Sequence, residues 1–132
     1  MLYLIKVGLV RKIVSRGISI GEVGVTGKAR IIKNNLDMSL IFPGEILFVP
    51  KELMQHIPLS KNIAGIVTNQ NVNDVYALFN KNNKKISTIC NLENIDNHQI
   101  SNGDLITLQL NEGVIYMGQI EDDDAIDKYK YV

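Results

Sequence analysis

The sequence lacks several features that define large classes of protein. A single cysteine among 132 residues excludes a disulfide framework and a thiolate metal cluster. Fourteen basic and fourteen acidic residues cancel, so the chain lacks the positive charge that binding to nucleic acid or an anionic membrane usually requires. No apolar run approaches the ~20 residues that a membrane-spanning helix needs. We therefore expect neither nucleic acid nor a membrane as a partner.

The N-terminus also lacks the layout of a signal peptide. Lys6, Arg11 and Lys12 interrupt its apolar stretch, and no small-residue cleavage site follows. The one cysteine, Cys90, ends the apolar run 86–90, which is typical of a buried strand residue in a reducing compartment. These features predict a cytoplasmic protein.

What is present is the composition of one ordinary globular domain. Hydrophobic residues make up 45% of the chain and charged residues 21%, enough apolar material for a core at this length. We interpret residues 1–16 as N-terminal strands or a linker from a preceding domain. Residues 17–118 form the predicted module, and residues 119–132 are an acidic tail that we expect to be flexible.

The most informative stretch is a predicted strand, a polar elbow and a predicted helix. The run 63–67 is almost entirely apolar, as in a strand covered on both faces, and it stops at Thr68. Apolar residues then recur at helical spacing over 72–79, with Asn71 as a suitable N-cap and Asp74 in the first turn. The elbow residues are Thr68, Asn69, Gln70, Asn71 and Asn73. The positive end of a helix at such an elbow is a natural place for an anion.

A glycine-rich segment, with glycines at 17, 21, 24 and 27, precedes this element. Two nucleotide-binding motifs are excluded there. Glu22 occupies a position where a P-loop needs glycine, and Ala29 follows Lys28 where it needs Ser or Thr. A dinucleotide fingerprint would open a helix, whereas the segment 28–32 is strand-like. Repeated glycine instead favours sharp strand corners in a small barrel-like sheet.

Several shorter patterns complete the prediction. Segments 2–7 and 9–14 are β-like, 36–40 and 51–55 are helical turns, and 103–110 with 114–117 forms a hairpin. His56 and His98 have no companion at metal-ligand spacing, so we interpret both as boundary residues. The lysines at 81, 84 and 85 lie in or beside a polar loop, where a solvated surface is more common than an anion site.

Four stretches in order resemble the mobile domain of PEP-utilising enzymes, which carries a phosphohistidine. They are the glycine-rich opening through Gly-Lys-Ala-Arg30, Pro43-Gly-Glu-Ile-Leu-Phe-Val49, the run 57–68, and Gly103-Asp-Leu-Ile-Thr107. The resemblance covers about residues 17–118 and is greatest to the C-terminal extension of pyruvate kinases. It implies an α/β fold of the swivelling β/β/α sandwich type, with two small sheets and a few short helices.

The residues that carry the family's chemistry are replaced at the elbow. Asp74 stands where the family has its phosphorylated histidine, Asn69 and Gln70 replace two glycines, and Asn73 replaces a Ser or Cys. The resemblance therefore implies a non-catalytic interaction or regulatory module with no cofactor and no metal. Its partners would be other domains of a parent enzyme such as pyruvate kinase, or a second copy of the chain.

Two alternatives remain open. In the first, the domain still carries phosphoryl groups, on Asp74 or His56, within a dikinase-like enzyme that has an ATP-grasp and a PEP-binding domain. In the second, it is a separate swivelling subunit that covers the active site of a partner.

Overall fold

The computed structural model describes residues 12–95 and 99–118. The predicted strand at 2–7, most of the predicted segment 9–14, His98 and the tail 119–132 lie outside these residues. The strands are β1 (Ile13–Arg16), β2 (Ile18–Ile20), β3 (Val25–Ile31), β4 (Ile46–Val49), β5 (Gly65–Thr68), β6 (Thr88–Cys90), β7 (Leu105–Gln109) and β8 (Val114–Met117). Two 3-10 helices, Asn35–Leu40 and Lys51–His56, and one α-helix, α1 (Val72–Lys81), complete the described elements.

The eight strands form one mixed sheet in the order β1-β8-β7-β3-β4-β5-β6-β2. The mixed α/β class and the few short helices are as predicted, and the two small sheets that we expected are joined into one eight-stranded sheet. The strand that joins the two parts of the sheet is β3, which lies between β7 and β4 in this order. Its first half, 25–28, pairs antiparallel with β7, and its second half, 29–31, pairs parallel with β4. One strand therefore joins an antiparallel half of the sheet to a largely parallel half.

Gly17 brings the two edges of this sheet together. The edge strands β1 and β2 are consecutive in the chain and are separated only by Gly17. The N–H of Gly17 donates to the carbonyl oxygen of Gly113 at 2.9 Å. A Cβ at this position would collide with the carbonyl oxygen of Cys90, so the close approach requires glycine. The sheet thus bends back on itself, as the glycine spacing indicated.

Two buried clusters occupy the two faces of the parallel half. Successive residues of β5 point to opposite faces, so Ile66 belongs to one cluster and Val67 to the other. The Val67 cluster also contains Ile106 and Leu108 of β7, which places the antiparallel half over this face. The Ile66 cluster contains residues of α1 and of both 3-10 helices or their flanks. Two layers of strands and one layer of helices result.

The predicted elements around the elbow are confirmed, with one exception in the helix. Strand β5 is buried along its whole length, and Val75 and Phe79 of α1 are buried against it. Tyr76, which shares the helical spacing of the apolar residues, is instead 41% exposed. The apolar stripe of α1 is therefore narrower than its spacing indicated.

The predicted hairpin, the burial of Cys90 and the two helical turns agree with the structure. Residues 105–109 and 114–117 form an antiparallel hairpin, and Cys90 is fully buried at the end of β6. The two helical turns appear as the 3-10 helices. Across 12–95 and 99–118, no helix has the length and apolar content needed to span a membrane.

Candidate functional site

The elbow lies where the parallel strands β4, β5 and β6 end, the edge at which open α/β sheets commonly bind ligands. Two hydrogen bonds attach it to the neighbouring strand ends. The side-chain oxygen of Asn69 accepts from the N–H of Lys51, just after β4, at 2.8 Å. The carbonyl oxygen of Gln70 accepts from the N–H of Asn91, just after β6, at 2.8 Å. The elbow is therefore held on both sides.

Within the elbow, polar side chains bind the backbone amides. Thr68 is fully buried, and its hydroxyl oxygen accepts from the N–H of Gln70 at 3.1 Å. The side-chain oxygen of Gln70 in turn accepts from the N–H of Asn71 at 3.1 Å. These two N–H groups, which belong to the residues just before the helix, thus donate to side chains of the elbow itself. A glycine at position 70 could not supply the second of these acceptors.

Asn71 and Asp74 close the first turn of α1. Asn71 is the N-cap, as predicted, and its side-chain oxygen accepts from the N–H of Asp74 at 2.9 Å. Its amide NH₂ donates to a carboxylate oxygen of Asp74, also at 2.9 Å. Asp74 is exposed and lies three residues after the cap, so its negative charge faces the positive end of the helix. The carboxylate therefore occupies the kind of position that a bound anion would take.

The other candidate residues, Asn73 and His56, take no part in these hydrogen bonds. Asn73 is exposed in the same first turn. His56 is exposed at the end of the second 3-10 helix, where its ring nitrogen Nε2 is 3.4 Å from the side-chain nitrogen of Gln55. A groove of about 450 Å³ beside the elbow is lined by Asp74 and Gln55, but His56 is not among its lining residues.

The groove beside the elbow has balanced charge. Lys51 and Lys81 contribute two positive charges to its lining, and Glu52 and Asp74 contribute two negative charges. No group of three or more His, Cys, Asp or Glu side chains could hold a metal ion within the described part of the chain. Among the described residues, the Asp74 carboxylate therefore has no group of metal-binding side chains beside it. Formation of an acyl phosphate on this carboxylate would need a cation held by some other part of an enzyme.

Sequence reasoning missed two residues of this site, Lys51 and Asn91. Both act through the backbone N–H, which every residue but proline possesses, so residue type gave no indication of their role. Asn91 did carry one signal. It is an asparagine that directly follows a strand, and asparagine adopts positive φ more readily than most residues. In the structure its φ is 61°.

The fold and site together define a mixed α/β domain with a strand, an elbow and a helix at the edge of parallel strands. No protein-family model matches the chain. The chain is similar to pyruvate kinase 2 of Synechocystis sp. (strain ATCC 27184 / PCC 6803 / Kazusa), with 28% identity over 117 residues. The similarity covers 89% of this chain but only 20% of that protein. The chain thus spans about one fifth of the length of this curated relative.

Proposed function

We propose that the chain is a non-catalytic domain of the swivelling, phosphohistidine type that acts as an interaction or regulatory module. The observation that carries this proposal is the position of Asp74. A carboxylate, bound by Asn71, lies in the first turn of the helix, where the sequence resemblance would place the family's histidine. Phosphoryl relay of that type needs a nitrogen nucleophile there, which aspartate does not provide.

The occupied amides of the elbow support the same proposal. A phosphate at a helix start is bound mainly by backbone N–H groups. The N–H groups of Gln70, Asn71 and Asp74 already donate to oxygens of neighbouring side chains. A phosphate would have to displace these bonds and would also meet the negative charge of Asp74. Both effects oppose phosphorylation at this elbow.

The layering of the fold is compatible with the proposed domain type. Two layers of strands and one layer of helices are the expected arrangement of a swivelling β/β/α sandwich, although here one continuous sheet supplies both strand layers.

The similarity to pyruvate kinase 2 supports the proposal that this chain is one domain of a larger enzyme. We propose that the domain is the C-terminal extension of a cytoplasmic pyruvate kinase and that it contacts other domains of that enzyme or a second copy of itself. The phosphotransferase activity would then belong to the remainder of the polypeptide. The supporting fact is that the similarity covers 20% of a protein named as a pyruvate kinase.

The full-length gene product tests this proposal. We expect residues 17–118 to occur in a polypeptide that also contains the catalytic domains of a pyruvate kinase. Deleting these residues should leave the formation of pyruvate from PEP and ADP intact but change the subunit assembly or the response to effectors. Pyruvate formation and light scattering on the two purified enzymes measure these properties.

A point variant provides the matched control. Asp74→Ala in the full-length enzyme should leave the rate of pyruvate formation unchanged, because the proposal gives Asp74 no catalytic role. A gene product with ATP-grasp and PEP-binding domains would instead support the active phosphoryl carrier. A short product that copurifies with an enzyme whose active site it covers would support the separate subunit.

A further inference from the structure

The opposite end of α1 carries a second polar surface that the elbow does not use. A groove of about 310 Å³ lies there, and it is lined by Tyr76, Phe79, Asn80, Asn83, Lys84 and Lys85. We propose that this groove, the α1 C-terminal groove, binds a small organic phosphomonoester. The residues that line the groove run from Tyr76, in the middle of α1, to Lys85, beyond its end, and none of them is an elbow residue, so the proposal does not depend on the proposed function.

The backbone that carries the two lysines of this groove is fixed by the end of the helix. The N–H of Asn83 donates to the carbonyl oxygen of Asn80 at 3.3 Å, and the N–H of Lys84 donates to that of Phe79 at 3.0 Å. Asn83 has a positive φ of 51°. These are the two bonds and the left-handed residue of a Schellman motif, with asparagine in the usual place of glycine. Lys84 and Lys85 therefore extend from a defined turn.

The negative end of the helix, which would repel an anion, is largely covered. The carbonyl oxygen of Leu78 accepts from the N–H and from the side-chain NH₂ of Asn82, at 3.2 and 2.8 Å. The carbonyl oxygens of Phe79 and Asn80 are occupied by the Schellman bonds. Since these partial negative charges already have donors, the positive charges of the lysines dominate the groove.

The lining has the chemistry of a site for a phosphomonoester with a small planar or apolar body. Its two ammonium groups match the charge of about −1.5 to −2 that a phosphomonoester carries at neutral pH, and Asn80 and Asn83 supply further N–H donors. None of the six described residues that line it is a carboxylate. The ring of Tyr76, 41% exposed, provides a flat wall for the body of the ligand. A volume of about 310 Å³ fits a small ligand.

Titration of the ¹⁵N-labelled chain with phenyl phosphate, followed by amide NMR, tests the proposal. We expect saturable shifts centred on residues 76–85, with tighter binding of phenyl phosphate than of inorganic phosphate or phenol. Lys84→Gln and Lys85→Gln should each weaken binding at least tenfold. Tyr76→Ala should abolish the preference for phenyl phosphate over inorganic phosphate.

Lys81→Gln is the matched control, because it removes the same charge from the same helix end but lies in the lining of the other groove. It should weaken binding less than twofold. Thermal midpoints of all variants, which we expect within a few degrees of the unmodified chain, show whether each variant is folded. Equal effects of Lys81→Gln and Lys84→Gln, shifts that do not saturate, or shifts spread over all exposed lysines would overturn the proposal.

Discussion

Asn71 and Asp74 bind each other twice across the first turn of α1. The backbone N–H of Asp74 donates to the side-chain oxygen of Asn71, and the side-chain NH₂ of Asn71 donates to the carboxylate of Asp74, both at 2.9 Å. The carboxylate is therefore held next to the positive end of the helix. This relationship explains how the helix start is stabilised without a bound phosphate.

Replacing Asp74 should have a modest effect on stability. We expect Asp74→Ala to lower the free energy of unfolding by about 0.5–1 kcal/mol, because an exposed charge near a helix end contributes about this much. Chemical denaturation measures the change. Asn73→Ala, in the same exposed turn but without this contact, is the control and should change stability by less than about 0.5 kcal/mol. Equal effects of the two substitutions would contradict the role assigned to Asp74.

Phe79 should be a major contributor to the core beneath the helix layer. Its side chain is 2% exposed and belongs to the cluster that contains Ile66. Phe79→Ala should cost about 3–5 kcal/mol of unfolding free energy, since removal of a buried ring leaves a cavity. Tyr76→Ala, on the exposed side of the same helix, should cost far less. A loss under about 1 kcal/mol for Phe79→Ala, measured in urea, would mean that the helix does not pack as described.

Asn83 should tolerate glycine better than alanine. Its φ of 51° lies in the left-handed region, which costs an ordinary L-residue roughly 1–2 kcal/mol and costs glycine nothing. We therefore expect Asn83→Ala to lower the thermal midpoint and Asn83→Gly to preserve or raise it. If alanine were tolerated as well as glycine at this position, the Schellman turn would not be the conformation in solution.

Cys90 should make stability depend on pH in the alkaline range. Burial raises the pKa of the Cys90 thiol, and backbone hydrogen bonding offsets only part of that increase. The folded chain therefore holds the thiol proton more tightly than the unfolded chain does. The stability that the protonated thiol contributes is fully present below the unfolded pKa of roughly 8.5, and it is lost as pH rises through the higher folded pKa.

The stability advantage of the unmodified chain over Cys90→Ala should therefore shrink between about pH 8 and pH 10. Urea unfolding at each pH, with a reductant present, measures this difference. An advantage that stays constant over the range would show that the thiol is not buried as described.

Local sequence patterns predicted the strands and helices whose formation depends on residues close together in the chain. The apolar run ending at Thr68 and the cap at Asn71 were evident because strand burial and helix capping act within a few residues. The exposure of Tyr76 was not evident, because spacing alone does not give the width of the buried stripe. That width depends on which strands lie beneath the helix.

Contacts between distant residues were not predictable from local patterns. The bond from Lys51 to Asn69 joins residues 18 apart, and the one from Asn91 to Gln70 joins residues 21 apart. Both bonds depend on the alignment of parallel strands. The single sheet was missed for a similar reason. Nothing in the composition of β3 indicates that its two halves pair with different strands, or that Gly17 alone separates the two edges.

The central proposal is that this elbow does not accept a phosphoryl group. Incubation of the chain with ³²P-labelled PEP, or with labelled ATP and phosphate, in the presence of the usual partner domains tests it most directly. A phosphohistidine-domain protein with an intact histidine serves as the positive control. We predict no label on this chain. Acid-labile label on a histidine, or hydroxylamine-sensitive label that Asp74→Ala abolishes, would contradict the account and identify the domain as an active phosphoryl carrier.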